Sequence, residues 1–188
     1  MFPKKYQVAG LKSLVLIPLT SIFFNPEKSQ VALAKFLFWV QQLIGESLGK
    51  NNMGFLPVVS TAPKDHHSLL QLYLDGPKDK IFYIFSSNTG DKKKLNFKFS
   101  DKKMNFLKNK SLNQIKVAQK NSFMTFLKKN KIPHREFVIQ GFDEQILGEL
   151  FSYFMLETAI IGKLANINPF DQPAVQQIKN NTKKILSQ

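Results

Sequence analysis

The segment from about Glu27 to Leu48 constrains the fold more than any other. Its middle reads Val31, Leu33, Phe36, Leu37, Phe38, Trp39, Val40, Leu43 and Ile44, with almost no polar side. Asn25, Pro26 and Glu27 supply a helix start and Gly49 a left-handed stop, so the pattern predicts a helix over 27–48. A helix that is apolar nearly all round has to be covered on most sides. A chain of 188 residues with 18 phenylalanines is long and bulky enough to cover it within one domain.

The cover is predicted to be a sheet. Short apolar runs at Leu11–Leu19, Gly54–Ser60, Lys80–Ser87 and Arg135–Gln140 read as strands, and the run at 80–87 is apolar enough to be buried on both faces. Helices fall between and after them. Asp65 is expected to cap a helix over His66–Leu74, closed by Gly76 and Pro77. Ser111 and Gln114 form a capping-box pattern opening a helix to about Lys129, with a stripe of Ile115, Ala118, Phe123 and Phe126 and Leu127 at its edge. Asp143 caps a helix from Glu144 to about Ala165, and Pro173 opens a last helix to about Leu186 with Gln172 as its N-cap. Alternating strands and helices predict a three-layer α/β sandwich with a mainly parallel, flavodoxin-like sheet, in one domain over 1–188. Residues 88–110, where Lys and Asp alternate with scattered Phe, are expected to be an exposed insertion. Sheets of this kind place ligands beyond the carboxyl ends of their strands.

Several function classes fall away. The absence of cysteine removes disulfides, thiolate catalysis and thiolate metal sites. The net charge of +14 is carried almost wholly by Lys; Arg135 stands alone, so no sequence-specific nucleic-acid partner is expected. No apolar run reaches the ~18 residues a membrane span needs. Pro18 interrupts the short apolar stretch near the N-terminus, so no signal peptide is expected, and a cytoplasmic location fits. There is no phosphate-binding GxxxxGK[ST] loop, no GxGxxG after a strand and no GxSxG elbow. No pair of histidines stands at metal-ligand spacing with a carboxylate, so no metal site is expected.

Three groups of residues could carry chemistry. Glu46, in QQLIGESLGK, lies at the negative end of the long helix, where a carboxylate is mildly disfavoured as an anion. That suits a group that must both take and return a proton, and Gln42 lies one turn earlier on the same side. A solvated glutamate near a helix end is the plainer reading. His66 and His67 are expected to open a helix after the second strand, whose positive end favours a neutral, proton-exchanging ring; ordinary first-turn histidines would look the same. His134, between Pro133 and a strand, reads as structural. In NPFDQPAVQQIK, Gln172 and Lys179 stand about two turns apart and could hold two hydroxyls of a sugar phosphate, although a lone surface Lys is commonplace.

Three stretches together resemble the C-terminal half of glucose-6-phosphate isomerases: QQLIGESLGK (41–50), KDHHSLLQLYLDGPKDK (64–80) and GKLANINPFDQPAVQQIK (162–179), in that family's order. The last resembles the family's long C-terminal signature, with Ala165, Ala174 and Gln176 where the family has a larger apolar residue, Gly and Glu. The resemblance implies a sugar-isomerase (SIS) domain, usually dimeric and without a cofactor, that interconverts glucose 6-phosphate and fructose 6-phosphate in glycolysis and gluconeogenesis. It implies Glu46 as the base acting through a cis-enediol, His67 as the ring-opening histidine reaching a neighbouring subunit's site, Gln42 as a substrate contact, and Gln172 and Lys179 near the ring oxygen and hydroxyls. The family's first SIS domain supplies a Ser/Thr-rich phosphate loop and an arginine that nothing here matches. A fragment or truncated form, or a chain whose other half is separate, is therefore expected, and poor turnover by this chain alone. The alternative is a SIS module that binds a sugar phosphate without catalysis.

Overall fold

The structure is a computed structural model and describes residues 13–19, 28–87, 94, 101–140 and 143–187. Strands β1 (Ser13–Leu19), β2 (Leu56–Val59), β3 (Lys80–Ser87) and β4 (His134–Ile139) form one sheet in the order β2-β1-β3-β4, and each pair is parallel. The helices are α1 (Lys28–Leu48), α2 (Lys64–Ser68), α3 (Leu70–Asp75), α4 (Leu112–Lys129), α5 (Glu144–Ala165) and α6 (Pro173–Leu186).

Strand periodicity sorts the core into two sides. Leu14 and Leu16 of β1 and Tyr83 and Phe85 of β3 face α1 and α5, meeting Phe36, Leu37, Val40, Ile44 and Phe154. Their neighbours Val15, Ile17, Phe82 and Ile84 point the other way, onto Tyr73 of α3 and Phe123, Met124 and Leu127 of α4. Because successive strand side chains alternate, two covered faces require apolar runs, and that is what the middles of β1 and β3 carry. The result is the expected three-layer α/β sandwich. The seam between α1 and α5 is aromatic: Phe151 meets Trp39 at 4.4 Å and Phe36 at 5.3 Å between ring centroids, both edge-on.

Several local expectations need correction. Phe38 of α1 is 58% exposed, so that helix keeps one open side. Gly49 does not adopt a left-handed conformation; its N–H continues the helical pattern to the Gly45 carbonyl oxygen at 3.2 Å. A side chain there would begin 2.6 Å from that oxygen, so close approach is what suits glycine. Asn51 and Asn52, with φ of 55° and 58°, make the left-handed turn instead. The buried stripe of α4 is Phe123, Met124 and Leu127, while Phe126 is exposed, so the stripe is turned toward Leu127. The capping box holds, with Ser111 Oγ accepting from Gln114 N at 3.1 Å and Gln114 Oε1 accepting from Ser111 N at 2.8 Å.

The predicted helix over 66–74 is split at Leu69 into α2 and α3. Asp65 lies inside α2 rather than at its N-cap, and its carboxylate reaches back to Thr61 N at 2.6 Å and Ser60 Oγ at 3.1 Å. Asn25, Pro26, Glu27, Gly141 and most of 88–100 lie outside the described residues; 101–110 form a largely exposed 3-10 turn, Lys102–Leu107, and its flanks.

Candidate functional site

In a parallel sheet each helix runs back against its strands, so the C-terminal end of α1 arrives at the amino end of β2. Gln41 Nε2 donates to the Pro57 carbonyl oxygen at 2.8 Å and fixes that junction. Ser47 and Leu48 are buried beside it, which leaves Glu46 on the open side of the helix end. Gln42, one turn earlier, donates to Glu46 Oε1 at 3.1 Å. Gln172 Nε2 donates to Glu46 Oε2 at 2.7 Å, across 126 residues of sequence.

The chain brings Gln172 there by turning sharply after α5. Asn166 takes the left-handed conformation at the helix end, and Ile167 N donates to the Gly162 carbonyl oxygen at 2.8 Å. A Cβ on Gly162 would stand 3.2 Å from the Pro169 ring, so glycine lets the connection lie close against α5. Lys50 Nζ then donates to the Asn168 carbonyl oxygen at 2.5 Å and to Asp171 Oδ1 at 2.7 Å. The hydrogen bond from Lys50 holds the Asp171 carboxyl below its ordinary value of 3.8. Gln172 is the N-cap of α6, but its side chain does not cap that helix; it is spent on Glu46.

The product is an exposed carboxylate with a neutral amide donor on each oxygen. Amides orient the carboxylate without neutralising its charge, so it can still take a proton from a bound molecule. The amides can also turn to hydroxyl groups.

Other candidate residues lie elsewhere. Lys179 sits on exposed α6 and makes no hydrogen bond or ion pair among the described residues; with Ile178, Thr182 and Lys183 it lines a shallow groove along that helix. The two-turn spacing from Gln172 does not fix a shared direction, because Gln172 precedes the helix with non-helical angles of −140° and 66°. His67 is exposed in the last turn of the five-residue α2, not the first turn of a long helix. Its neighbour His66 turns inward, its ring 5.3 Å from that of Phe123 and its Nε2 buried without a partner among the described residues. Burial lowers the His66 pKa, with Asp65 opposing. His134 begins β4 and pairs Nδ1 with the Ile132 carbonyl oxygen at 2.8 Å, a structural position.

His67 follows the carboxyl end of β2, whereas Glu46 lies by its amino end. At ~3.3 Å per residue the strand alone separates those ends by ~10 Å. The Glu46 cluster therefore sits at the amino edge of the sheet, opposite the expected carboxyl-end crevice, because it is built on the end of a helix that runs antiparallel to the strands. Lys50 and Asp171 were missed as partners: both stand in stretches singled out above, but no local spacing links residues 121 apart.

Two further polar clusters serve packing. Arg135 stacks 5.0 Å from the Tyr83 ring centre, donates to Tyr153 Oη at 2.7 Å and pairs with Glu157. Burial, then the Glu157 charge, pushes the Tyr83 hydroxyl up to about 12. Glu136 accepts from Lys120 at 2.7 Å and Ser86 at 3.1 Å, and the Lys120 bond lowers its pKa. Among the described residues no group of three or more His, Asp or Glu could hold a metal ion, and no helix is long and apolar enough to cross a membrane.

No protein-family model matches the chain. It is 35% identical over 155 residues to a probable glucose-6-phosphate isomerase of Methanococcus maripaludis, an alignment covering 82% of this chain and 35% of that protein. It is 33% identical over 159 residues to the glucose-6-phosphate isomerase of Methanocaldococcus jannaschii, covering 84% and 39%. The crystal structure of a glucose-6-phosphate isomerase from Chlamydia trachomatis has the same fold, with a TM-score of 0.66 over 95% of this chain and 35% of that one at 21% identity. The chain thus resembles glucose-6-phosphate isomerases over most of its own length while spanning little more than a third of theirs.

Proposed function

We propose that this chain, similar to glucose-6-phosphate isomerases over four-fifths of its length, is a SIS-type domain carrying the proton-transfer group of an aldose–ketose isomerase. The observation that supports this most is that Gln42 and Gln172, from two separate motif stretches, each hold one oxygen of Glu46. In the proposed reaction the Glu46 carboxylate takes the proton from C2 of open-chain glucose 6-phosphate. The C–H electrons form the C1=C2 bond of a cis-enediol while O1 gains a proton. The Glu46 carboxyl then returns its proton to C1, and the O2 hydroxyl loses its own to leave the ketone of fructose 6-phosphate.

Ring opening is assigned to His67. Its place at the far end of β2 supports delivery to the Glu46 of a second copy, and hence a homodimer. Lys179 is assigned to the substrate hydroxyls. The phosphate is assigned to a loop of the family's other half, supplied with this chain or as a separate partner. We infer weak turnover without it, because remote binding energy is what orients the reacting carbons. A cytoplasmic site of action and the absence of a cofactor complete the reading.

A coupled assay for fructose 6-phosphate, with a relative's N-terminal half added, tests it. Activity should appear on addition, and Glu46→Gln should lower it by roughly 10²–10⁴-fold, the usual contribution of a positioned general base. Activity unchanged by Glu46→Gln would refute the assignment. The exposure of Glu46 and the isolation of Lys179 favour one second reading, a module that binds the sugar phosphate without turning it over. Equal substrate binding by both forms, with no turnover by either, would select it.

A further inference from the structure

We propose that Lys50 is a positioning residue: its ammonium pins the 166–172 connection to the end of α1 and so keeps Gln172 on Glu46. The proposal rests on the reading of Glu46 as the proton-transfer group. Residues 171–187 are all exposed, so no buried side chain among them anchors the chain there. Ile167 is buried at the start of the connection, and beyond it the anchor is polar. Lys50 Nζ meets the Asn168 carbonyl oxygen at 2.5 Å and Asp171 Oδ1 at 2.7 Å.

The two partners of this ion pair are unequal. The Lys50 side chain is 10% exposed and that of Asp171 54%. A pair of fully solvated charges would hold a segment weakly. A mostly covered Lys50 side chain is different, because releasing its two acceptors leaves a partly shielded charge short of partners. Lys50 lies four residues after Glu46, and Asp171 directly precedes Gln172. One bridge therefore fixes both neighbours of the Gln172–Glu46 hydrogen bond. A lone exposed amide–carboxylate bond does not by itself order a connection, since water competes for both groups. With the bridge closed, the Gln172 amide is delivered to Glu46 already oriented. Pro173 opens α6 immediately afterwards, so the same bridge sets where α6 and Lys179 leave the domain.

The test reads the Gln172 side-chain amide resonance of the ¹⁵N-labelled chain, with and without Glu46→Gln. In the otherwise unaltered chain Glu46→Gln should shift that resonance. With Lys50→Met, the resonance should move to a free-amide position and Glu46→Gln should no longer affect it, while the resonances of β1 and β3 stay in place. Asp171→Asn, at an exposed side chain, should weaken the same coupling, and adding it to Lys50→Met should change nothing further. The proposal is overturned if the Glu46-dependent shift of Gln172 survives Lys50→Met, or is undiminished in Asp171→Asn should the Lys50 variant not fold. Additive effects in the double variant would overturn it as well. These resonances do not depend on turnover, so a missing isomerase activity would count against the functional reading and not against the bridge.

Discussion

Phe154 offers a sharp test of the packing that presents the site. It is fully buried, while Phe170, just beyond the same helix, is 87% exposed. Around Phe154 lie the rings of Tyr153 at 5.2 Å, Phe137 at 5.6 Å, Phe36 at 5.8 Å, Phe85 at 6.0 Å and Tyr83 at 6.4 Å. These rings belong to α1, α5, β3 and β4, so removing the one at their centre leaves a cavity that no single element can close. Phe154→Ala should cost about 3–5 kcal/mol, the usual range for a buried aromatic. For a chain of this size that is a fall in Tm of roughly 6–20 °C, at about 2–4 °C per kcal/mol. Phe170→Ala should change stability by less than about 0.5 kcal/mol, as surface substitutions do. Urea unfolding followed by far-UV circular dichroism measures both, with an unchanged m-value as the check that compactness is the same. A loss below about 1.5 kcal/mol for Phe154→Ala, or equal losses for the two variants, would refute the claim that α5 is seated by this aromatic cluster.

Other outcomes follow from the same contacts. The His66 pKa is lowered in the folded chain, so the unfolded chain binds the proton first and stability should fall as pH drops through 6.5 toward the folded value. His66→Gln should flatten that slope in urea titrations across pH 5.5–7.5, values chosen as roughly one unit either side of a free histidine; an unchanged slope would clear His66 of the effect. Ser111→Ala removes the acceptor for Gln114 N and should cost about 1 kcal/mol in the same unfolding assay. Lys179→Ala should leave stability within about 0.5 kcal/mol while reducing any complemented isomerase activity, since the exposed side chain makes no hydrogen bond or ion pair among the described residues. A large loss of stability would mean that α6 packs through Lys179.

Local rules carried far because much of this chain obeys short-range physics. The unbroken apolar run within Lys80–Ser87 announced a strand covered on both faces, and the Ser111–Gln114 box and the Asp143 cap marked two helix starts from within one turn of sequence. Misreadings arose where a distant partner decided. Phe126 was placed in the core stripe of α4, but the face that the sheet covers runs through Met124 and Leu127. Gly49 was read for its torsional freedom, when its constraint is the Gly45 carbonyl oxygen. His66 and His67 looked alike in sequence, yet one ring lies on Phe123 and the other in solvent.

The same division runs through the candidate site. That Glu46 stands at a helix end with Gln42 one turn before it follows from 3.6-residue periodicity, which is a property of the local chain. That Gln172 shares the carboxylate, that Lys50 bridges to Asp171, and that His67 lies at the other end of β2 depend on how strands and helices are ordered in the sheet. Hydrogen bonds between groups more than a hundred residues apart have no signature in spacing. They arise only once burial of α1 and α5 against the sheet has fixed where each helix ends.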